Sequence, residues 1–431
     1  MSSMVLVLIF VVLMVLHVPI SVSIGLATLA TMLFTVDFLP AVTTIAQRMA
    51  GGLDSFTLLA IPFFILSGQL MGRGGIARRL VEAAKVMVGT LPGGLAFVNV
   101  LSCMLFGSIS GSAVATTSAI GSFMVPEMNK MGFKPSFNGA LTAAASTTGM
   151  LIPPSNTLIV YAVASGGVSI SALFMGGYVP GILLGLSLMI VCAYYARRMD
   201  MPRGERIPVR VALQKLTEAL PSLLLILIVI GGILGGIFTA TEAGAIAVVY
   251  ALVLSLVVYR EIDLKQLPEI FLKSVEVTAV VMLLIATSTA LAWILAYENI
   301  PQTISQSLLA LSDNPFVIFL IMNLVLLVVG AFLDMTPAVL IFTPIFLPVA
   351  VQLGMSPLHF GIMLVMNLSI GLCTPPVGSV LFIGCTVAKT SITAISRYLV
   401  PMFIAMFFVL MATTYIPVLS EGLPRLFDLI E

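Results

Sequence analysis

Glycine and proline residues recur in the two halves of this 431-residue chain at one nearly constant spacing. Seven residues of the first half have the same residue type 222 positions later: Pro126, Gly132, Pro135, Gly139, Gly149, Pro153 and Pro154 correspond to Pro348, Gly354, Pro357, Gly361, Gly371, Pro375 and Pro376. Pro92 and Gly107 match Pro315 and Gly330 at a spacing of 223. This pattern indicates an internal duplication, and in an apolar chain it predicts helices that are interrupted at corresponding places.

The amino-acid composition indicates a chain that lies in a membrane. Hydrophobic residues make up 60% of the chain and charged residues only 9%, whereas about a quarter of the residues in a soluble domain are charged. With a mean hydropathy of +1.19, we expect a polytopic protein surrounded by a lipid bilayer. The net charge of +1 gives no indication about nucleic acid, but the lack of basic patches with interleaved aromatic residues argues against a nucleic-acid partner. The four cysteines show no metal-binding or redox spacing.

Hydropathy divides the chain into membrane helices, each of which needs about 20 apolar residues to cross a bilayer. The predicted crossings lie near 4–18, 19–37, 54–71, 137–165, 172–196, 216–237, 240–259, 274–297, 359–388 and 397–418. Stretches 92–126 and 315–348 are too long for one crossing and are interrupted centrally, so we expect re-entrant hairpins there. Double prolines in 137–165 and 359–388 predict two broken helices. The predicted fold is all-α, with two repeats of about five transmembrane helices, each repeat including one hairpin and one broken helix.

Charges in the loops predict that the two repeats, residues 1–196 and 216–431, have inverted topology. Segment 72–90 contains four basic residues, whereas the matching segment 299–314 contains no lysine or arginine. Cytoplasmic loops are enriched in these residues, so the two segments are expected on opposite sides of the membrane. The basic linker 197–215 is expected in the cytoplasm and both chain termini outside it. Chance variation in loop charge is the alternative.

The candidate binding site lies at four interruptions, the hairpin tips 107–112 and 330–337 and the helix breaks 149–157 and 371–379. Proline frees backbone carbonyls, which suit Na⁺, and the N-termini of the following half-helices suit an anion. We expect at least two Na⁺ sites, with candidate ligands Ser108, Ser110, Gly111, Gly149, Pro153, Asn156, Gly330, Asp334, Gly371, Thr374 and Gly378. The candidate residues for an anionic substrate between them are Ser112, Ser155, Asn156, Thr157, Thr336 and Ser379. Ordinary proline kinks and packing notches are the alternative.

Two acidic residues in apolar surroundings need separate treatment. Asp334 has no lysine or arginine within twenty residues on the chain, and carboxylates inside a membrane usually have a function. We expect Asp334 to bind a cation or to hold the hairpin tip, and solvation near an interface is the alternative. Glu242 lies near a predicted helix start, where a carboxylate can simply stabilise the helix dipole.

Four segments resemble motifs of the large membrane subunit of tripartite ATP-independent periplasmic (TRAP) transporters: 53–64 (LDSFTLLAIPFF), 107–112 (GSISGS), 236–244 (GIFTATEAG) and 374–378 (TPPVG). The resemblance covers the whole chain. It implies an elevator-type permease of the bacterial inner membrane that takes up an organic acid, such as a C4-dicarboxylate, sialic acid or another sugar acid, by Na⁺ symport. It also implies a four-helix small membrane subunit and a periplasmic substrate-binding protein as partners, with both termini in the periplasm.

The match has one supporting detail and two departures. Residues 155–157 (SNT) are similar to a Na⁺-site motif of divalent-anion symporters, which have the same inverted architecture. The second break instead has Val377, Gly378 and Ser379 at the matching place, which puts its side-chain ligands in doubt. Ala240 also stands where the family pattern has proline.

Three other classes of protein have to be considered. A standalone Na⁺-carboxylate symporter of the divalent-anion type would share the breaks and the inversion but would need no binding protein. A channel would use the hairpins as a filter, although channels usually gain their symmetry from several subunits. An intramembrane serine protease would use the serine-rich tip, but the two available bases, His17 and His359, lie on no evident catalytic motif.

Overall fold

The structure is a computed structural model that describes residues 2–199, 201–204, 208–312, 314–375 and 377–430, with side chains described from Val5 onward. Pro376, part of the predicted second helix break, and parts of the predicted linker lie outside the described residues. Within the described ranges the regular secondary structure is entirely helical. Eight helical segments are long and apolar enough to cross a membrane: Phe56–Arg73, Ile170–Arg198, Val209–Leu234, Ala240–Val258, Leu264–Tyr297, Pro315–Phe332, Met335–Gln352 and Ile392–Tyr415. The predicted all-α membrane fold is confirmed.

Ten α-helices form the first half of the chain. They are α1 (Ser2–Val15), α2 (Ile20–Met32), α3 (Phe38–Leu53), α4 (Ala60–Arg73), α5 (Ile76–Val88), α6 (Gly94–Ser110), α7 (Ala113–Lys130), α8 (Pro135–Ser146), α9 (Asn156–Ala164) and α10 (Ile170–Arg198). A 3₁₀ turn, Phe56–Leu59, precedes α4, and another, Thr147–Met150, follows α8.

Ten further α-helices form the second half. They are α11 (Val209–Leu234), α12 (Ala240–Val253), α13 (Leu267–Tyr297), α14 (Ile300–Leu311), α15 (Pro315–Phe332), α16 (Met335–Gln352), α17 (Pro357–Gly371), α18 (Ser379–Ala388), α19 (Ile392–Tyr415) and α20 (Val418–Leu426). A π-helical turn, Leu254–Val258, extends α12, and a 3₁₀ turn, Leu264–Gln266, leads into α13.

The duplicated sequence pattern corresponds to a duplicated order of helices. Helices α8 and α17 begin at Pro135 and Pro357, and α10 and α19 begin at Ile170 and Ile392, so both pairs start 222 residues apart. Proline suits the first turn of a helix, because its missing amide has no helical partner there. Each half therefore contains a hairpin (α6–α7 or α15–α16), then a broken helix (α8–α9 or α17–α18), then a long helix (α10 or α19).

Packing sorts the helices into two groups. Helices α6 to α10 and α15 to α20 pack mainly on one another, and we call them the core group; α1 to α4 and α11 to α13 form the scaffold group. The two groups meet where α4 packs on α6 and α9, and where α13 packs on α16. The hairpin tips and helix breaks therefore lie beside this boundary.

Several predicted boundaries differ from the structure. The hairpin turns are shorter than expected, because α6 continues to Ser110 and α15 continues to Phe332; Gly107, Ser108 and Gly330 are thus helical. Helix α11 begins at Val209, so the predicted linker loop is shorter too. Helices α3, α14 and α20 lie outside the predicted crossings, because they are amphipathic or short and have no long apolar run.

Glu242 has a capping role at the start of α12. Its Oε2 accepts a hydrogen bond from the backbone N–H of Thr239 at 2.8 Å, and the Thr239 hydroxyl accepts one from the Glu242 N–H at 3.3 Å. This reciprocal capping box satisfies two amide groups that the helix leaves unpaired. Glu242 therefore stabilises the start of α12, and its position needs no role in ligand binding.

Helix α5 is held by ion pairs to both groups of helices. Lys85 lies 2.8 Å from Glu82 on its own helix and 2.8 Å from Glu127 near the end of α7, and Lys215 of α11 lies 2.6 Å from Glu82. Burial alone would raise the pKa of Glu82, but the hydrogen bonds from Lys215 and Lys85 outweigh it and lower the pKa below 4.5. The charged form of Glu82 is therefore stabilised by folding.

Glu82→Gln is expected to destabilise the protein by about 1 kcal/mol at pH 7, a shift of about 1 °C in the unfolding temperature. The pKa of Glu82 is lowered in the folded state, so its contribution is present above the unfolded pKa and is lost as the pH falls through the folded pKa. Thermal unfolding of the purified chain at pH 7 and pH 4 measures the difference. Glu276→Gln is the control, because Glu276 and Lys273 form a pair in which both side chains are 56% exposed. An equal effect of both substitutions would contradict the role of Glu82.

Candidate functional site

Each hairpin crosses its own broken helix at a pair of glycines. In the first half a Cβ atom on Gly107 would lie 2.8 Å from the Cα of Gly149, and in the second half a Cβ on Gly371 would lie 2.6 Å from the Cα of Gly330. No real side chain tolerates such distances, so only glycine lets the two backbones approach this closely. Three of these glycines, Gly149, Gly330 and Gly371, are predicted Na⁺ ligands, and the structure places them at these crossings.

The first hairpin tip turns at Gly111 and Ser112, directly against the start of α9. Gly111 has a φ of +60°, and a Cβ there would lie 3.0 Å from the backbone N of Asn156. The Ser110 hydroxyl lies 3.0 Å from the Thr116 hydroxyl, which donates to the Ser112 carbonyl at 2.8 Å. The turn is therefore fixed by glycine geometry and by a small hydroxyl network.

The first helix break occupies residues 151–155, between the 3₁₀ turn and α9. The peptide bond between Pro153 and Pro154 is cis. Ser155 caps α9 by accepting from the Leu158 N–H at 3.4 Å, and its own hydroxyl donates to the Met150 carbonyl. Asn156 is the first residue of α9, and its Oδ1 is buried without a hydrogen-bond partner.

The second hairpin tip turns at Leu333 and Asp334, directly against the second break. The N–H of Gly378 donates to the Ala331 carbonyl at 3.0 Å, and the Ser379 hydroxyl donates to Oδ1 of Asp334 at 3.3 Å. Asp334 occupies the cap position of α16, but its side chain does not cap that helix. Its carboxylate is thus directed to the second break.

A cavity of about 900 Å³ lies between the two tips and the scaffold helices α4 and α13. Seven of the predicted site residues line it: Ser110, Gly111, Ser112, Asn156, Thr157, Asp334 and Thr336. Both halves of the chain therefore contribute to one cavity. Because the tip residues that line it include hydroxyls, an amide and one carboxylate, this end of the cavity offers oxygen atoms of the kind that bind hard cations.

The other predicted residues lie behind this surface. Ser108 and Thr374 donate their hydroxyl protons within their own segments, to the carbonyls of Leu105 and Ile370. Gly149, Pro153, Ser155, Gly330, Gly371, Gly378 and Ser379 belong to the crossings, breaks and caps and are not among the residues that line the cavity. The structure therefore joins the two predicted sites at one cavity but brings only part of the predicted set to its surface.

Sequence reasoning missed the scaffold side of the cavity. Gln69 and Arg73 of α4 and Lys273 and Glu276 of α13 line it opposite the tips. Arg73 also pairs with Glu269 at 2.9 Å. The sequence shows Arg73, Lys273 and Glu276 as charges near the ends of predicted crossings. Nothing in it indicates that α4 and α13 face the same cavity.

The histidines lie away from the serine-rich tip. His359 lies in the first turn of α17, where its ring bonds to the Ser420 hydroxyl and to the Thr414 carbonyl, the latter at 3.0 Å. His17 lies between α1 and α2. Neither histidine is among the residues that line the cavity, so this geometry does not support the serine-protease hypothesis.

A hairpin and a broken helix in each half, with their tips at a shared cavity, define a class of membrane transporter built from internal repeats. The family described as the DctM component of tripartite ATP-independent periplasmic transporters matches residues 7–419. The chain belongs to this family of TRAP large permease subunits. The resemblance found in the sequence motifs is thereby confirmed.

Several curated proteins are similar to the chain over most of its length. The uncharacterized protein YgiK of Salmonella typhimurium is 51% identical, covering 97% of this chain and 96% of its own. The C4-dicarboxylate TRAP transporter large permease protein DctM of Pseudomonas aeruginosa is 41% identical, covering 94% of both chains. The sialic acid TRAP transporter large permease protein SiaM of Vibrio cholerae is 39% identical, covering 89% of both.

A solved structure supports the fold independently. The YdaH transporter of Alcanivorax borkumensis, whose crystal structure is described as revealing an unusual topology, aligns with a TM-score of 0.65. The alignment covers 97% of this chain and 99% of that chain, at 15% sequence identity. At this identity the likeness concerns the fold alone.

Gly371→Ala is expected to destabilise the protein by about 1–3 kcal/mol, because the new methyl group would overlap the backbone of Gly330. Thermal unfolding of the purified chain in detergent measures this loss. Gly231→Ala is the matched control, since Gly231 is also helical but has no atom within 4 Å of its added Cβ. Equal unfolding temperatures for the two variants would contradict the crossing.

Proposed function

We propose that the chain is the large permease subunit of a TRAP transporter that takes up an acidic organic solute by Na⁺ symport. The observation that supports this proposal most is the shared cavity, which is lined by oxygen-bearing residues of both hairpin tips. Relatives named for C4-dicarboxylate and sialic acid transport make an acidic solute the best supported substrate class.

Two features of the cavity favour Na⁺ as the coupling ion. The Oδ1 of Asn156 is buried without a partner beside the first tip, and such an unpaired oxygen is costly unless a ligand or water binds it. At the second tip, Asp334 offers a carboxylate beside Ser379. Na⁺ prefers hard oxygen ligands of this kind, so we assign at least one ion to each tip.

The substrate carboxylate would bind between the tips. Helices α7, α9 and α16 all begin at residues beside the cavity, and helix N-termini attract negative charge through their free amides and their dipoles. Ser112, Asn156, Thr157 and Thr336 would supply hydrogen bonds to it. Their small size leaves room in the cavity for the remainder of the solute.

The separation of core and scaffold groups suits an elevator mechanism. The core group contains both tips and both breaks and meets the scaffold along the faces of α4 and α13. Movement of the core group as one body against the scaffold would carry the cavity across the bilayer. The basic residues of α4 and α5 would lie in the cytoplasm by the positive-inside rule, which places both termini in the periplasm.

The family also implies the environment and the partners of the subunit. We assign the chain to the bacterial inner membrane, together with a four-helix small membrane subunit and a periplasmic binding protein that delivers the solute. The standalone symporter remains the second candidate, because it would share the hairpins, the helix breaks and the inverted repeats but would need no binding protein.

Uptake by proteoliposomes that contain both membrane subunits tests the proposal. A labelled C4-dicarboxylate and labelled sialic acid serve as probes, with the binding protein present or omitted and with an inward Na⁺ or K⁺ gradient. Uptake that requires both Na⁺ and the binding protein is expected. Uptake without the binding protein would favour the standalone symporter, and uptake that is equal in both gradients would overturn Na⁺ coupling.

Asp334→Asn is expected to raise the Na⁺ concentration for half-maximal uptake about tenfold, because a neutral amide attracts a cation less strongly than a carboxylate does. Co-purification with the small subunit should be unchanged. Asp37→Asn is the control, since Asp37 is an exposed residue before α3 and its side chain makes no capping bond. An unaltered Na⁺ requirement in Asp334→Asn would remove this residue from the site.

A further inference from the structure

Buried asparagines attach the first arm of each hairpin to its neighbours in the core group. In the first half, Nδ2 of Asn99 on α6 donates to the hydroxyl of Thr142 on α8 at 2.7 Å. In the second half, Nδ2 of Asn323 on α15 donates to the hydroxyl of Thr414 on α19 at 3.1 Å. Asn99 and Asn323 are both 0% exposed. They lie 224 residues apart, close to the spacing of the duplication.

The two contacts use the same chemistry. The Thr142 hydroxyl donates to the carbonyl of Asn138 at 2.8 Å, and the Thr414 hydroxyl donates to the carbonyl of Leu410 at 2.9 Å. Because each threonine hydroxyl already donates its proton to a backbone carbonyl of its own helix, its oxygen can only accept the bond from asparagine. The asparagine amide must therefore donate, which fixes the direction of both contacts.

The second half has an additional bond to its broken helix. Nδ2 of Asn367 on α17 donates to the backbone carbonyl of Asn323 at 2.9 Å and to its Oδ1 at 2.7 Å. Asn323 is therefore hydrogen-bonded to both α17 and α19. The side-chain amide of Asn99 has only one oxygen acceptor, the Thr142 hydroxyl on α8. We name the Asn99–Thr142 pair the first clasp and the Asn323–Asn367–Thr414 triad the second clasp.

The position of each clasp relates it to the tip. Asn99 lies eight residues before Gly107, and Asn323 lies seven residues before Gly330. Two turns of a helix take about seven residues, so clasp and glycine crossing lie on nearby faces of the same arm. The glycines let the backbones approach but have no directional bond, and apolar helices can slide along such a contact. A buried hydrogen bond from an asparagine side chain prevents this sliding. If the helices slid, its donor and acceptor would find no other partner in the apolar surroundings.

We propose that Asn99 and Asn323, with Thr142, Asn367 and Thr414, are positioning residues that fix the register of each hairpin and so the geometry of its tip. The first clasp holds Ser110 to Ser112 against Asn156, and the second clasp holds Asp334 against Ser379. Neither clasp touches the cavity. These five residues are separate from the proposed cation ligands. Only the expected effect of Na⁺ on the clasp variants rests on the proposed Na⁺ symport.

Hydrogen exchange of the tips tests the clasps without a transport assay. The complete chain is exchanged in KCl, and uptake of deuterium is followed in peptides that cover 107–116 and 330–337. Asn99→Ala and the nearly isosteric Thr142→Val are each expected to speed exchange in the first peptide about three- to tenfold and to leave the second unchanged. Asn323→Ala should speed exchange in the second peptide and leave the first unchanged. The double variant Asn99→Ala/Thr142→Val should exchange no faster than the faster single variant, because both remove the same bond.

A control separates this effect from general loosening of the protein. Ser222 of α11 is also buried and bonds to the Tyr259 hydroxyl at 3.0 Å, but both residues lie on the scaffold side. Ser222→Ala should leave both tip peptides unchanged. Equal acceleration of both tips in every clasp variant, or wild-type exchange at the tips of Asn99→Ala and Thr142→Val, would overturn the proposal.

Repeating the exchange over a series of NaCl concentrations connects the clasps with the cation sites. Na⁺ should slow exchange at the wild-type tips, and Asn99→Ala should need about three- to tenfold more Na⁺ for half-maximal protection of the first peptide. If Na⁺ protects neither tip of the wild-type chain, the proposed Na⁺ coupling fails, whereas the exchange in KCl still decides whether the clasps position the tips. If Na⁺ protects the clasp variants as readily as the wild type, the clasps do not shape the cation sites.

Discussion

Lipid provides no hydrogen-bond partner for a peptide group, so a helix can be interrupted inside a membrane only where protein or water covers the interruption. This chain meets the constraint by placing its interruptions against one another. Gly107 meets Gly149, Gly330 meets Gly371, and the N–H of Gly378 bonds directly to the end of α15. Each break is therefore covered on one side by a hairpin, and a residue at its edge, Asn156 in the first half and Leu372 in the second, lines the shared cavity. The same contacts that satisfy the backbone also bring the polar residues of the tips together.

The two halves use one plan with different side chains. The first tip is neutral and combines hydroxyls with the unpaired amide oxygen of Asn156, whereas the second tip has the carboxylate of Asp334. The polar contacts behind the tips differ in the same way, since Asn323 is bonded to two neighbouring helices. The duplication therefore preserved backbone geometry more strictly than side-chain chemistry.

The architecture was predictable from the sequence because its main determinants are local. Pro135 and Pro357 recur at the repeat spacing and both stand at the start of a helix, where proline is favoured. Long apolar runs indicate membrane helices without knowledge of their neighbours. The spacing of 222 residues also indicated which hairpin and which break correspond. The short turns at Gly111 and Asp334 were predicted too wide, because a glycine used for helix contact cannot be distinguished by sequence from one used in a turn. Arg73 and Lys273 were missed at the cavity because only tertiary packing brings α4 and α13 to it.

The two short helices that precede the hairpins, α5 and α14, attach to them differently. Lys85 of α5 binds Glu127 of the first hairpin through full charges, whereas Ser305 of α14 binds Gln352 of the second hairpin through one neutral hydrogen bond of 2.7 Å. Dissolved electrolyte weakens attraction between charges but hardly affects a neutral hydrogen bond. A higher ionic strength on the side of α5 thus weakens the attachment of the first hairpin, whereas the attachment of the second hairpin to α14 is insensitive to salt. The symmetry of the repeats therefore does not extend to how the protein responds to its two aqueous compartments.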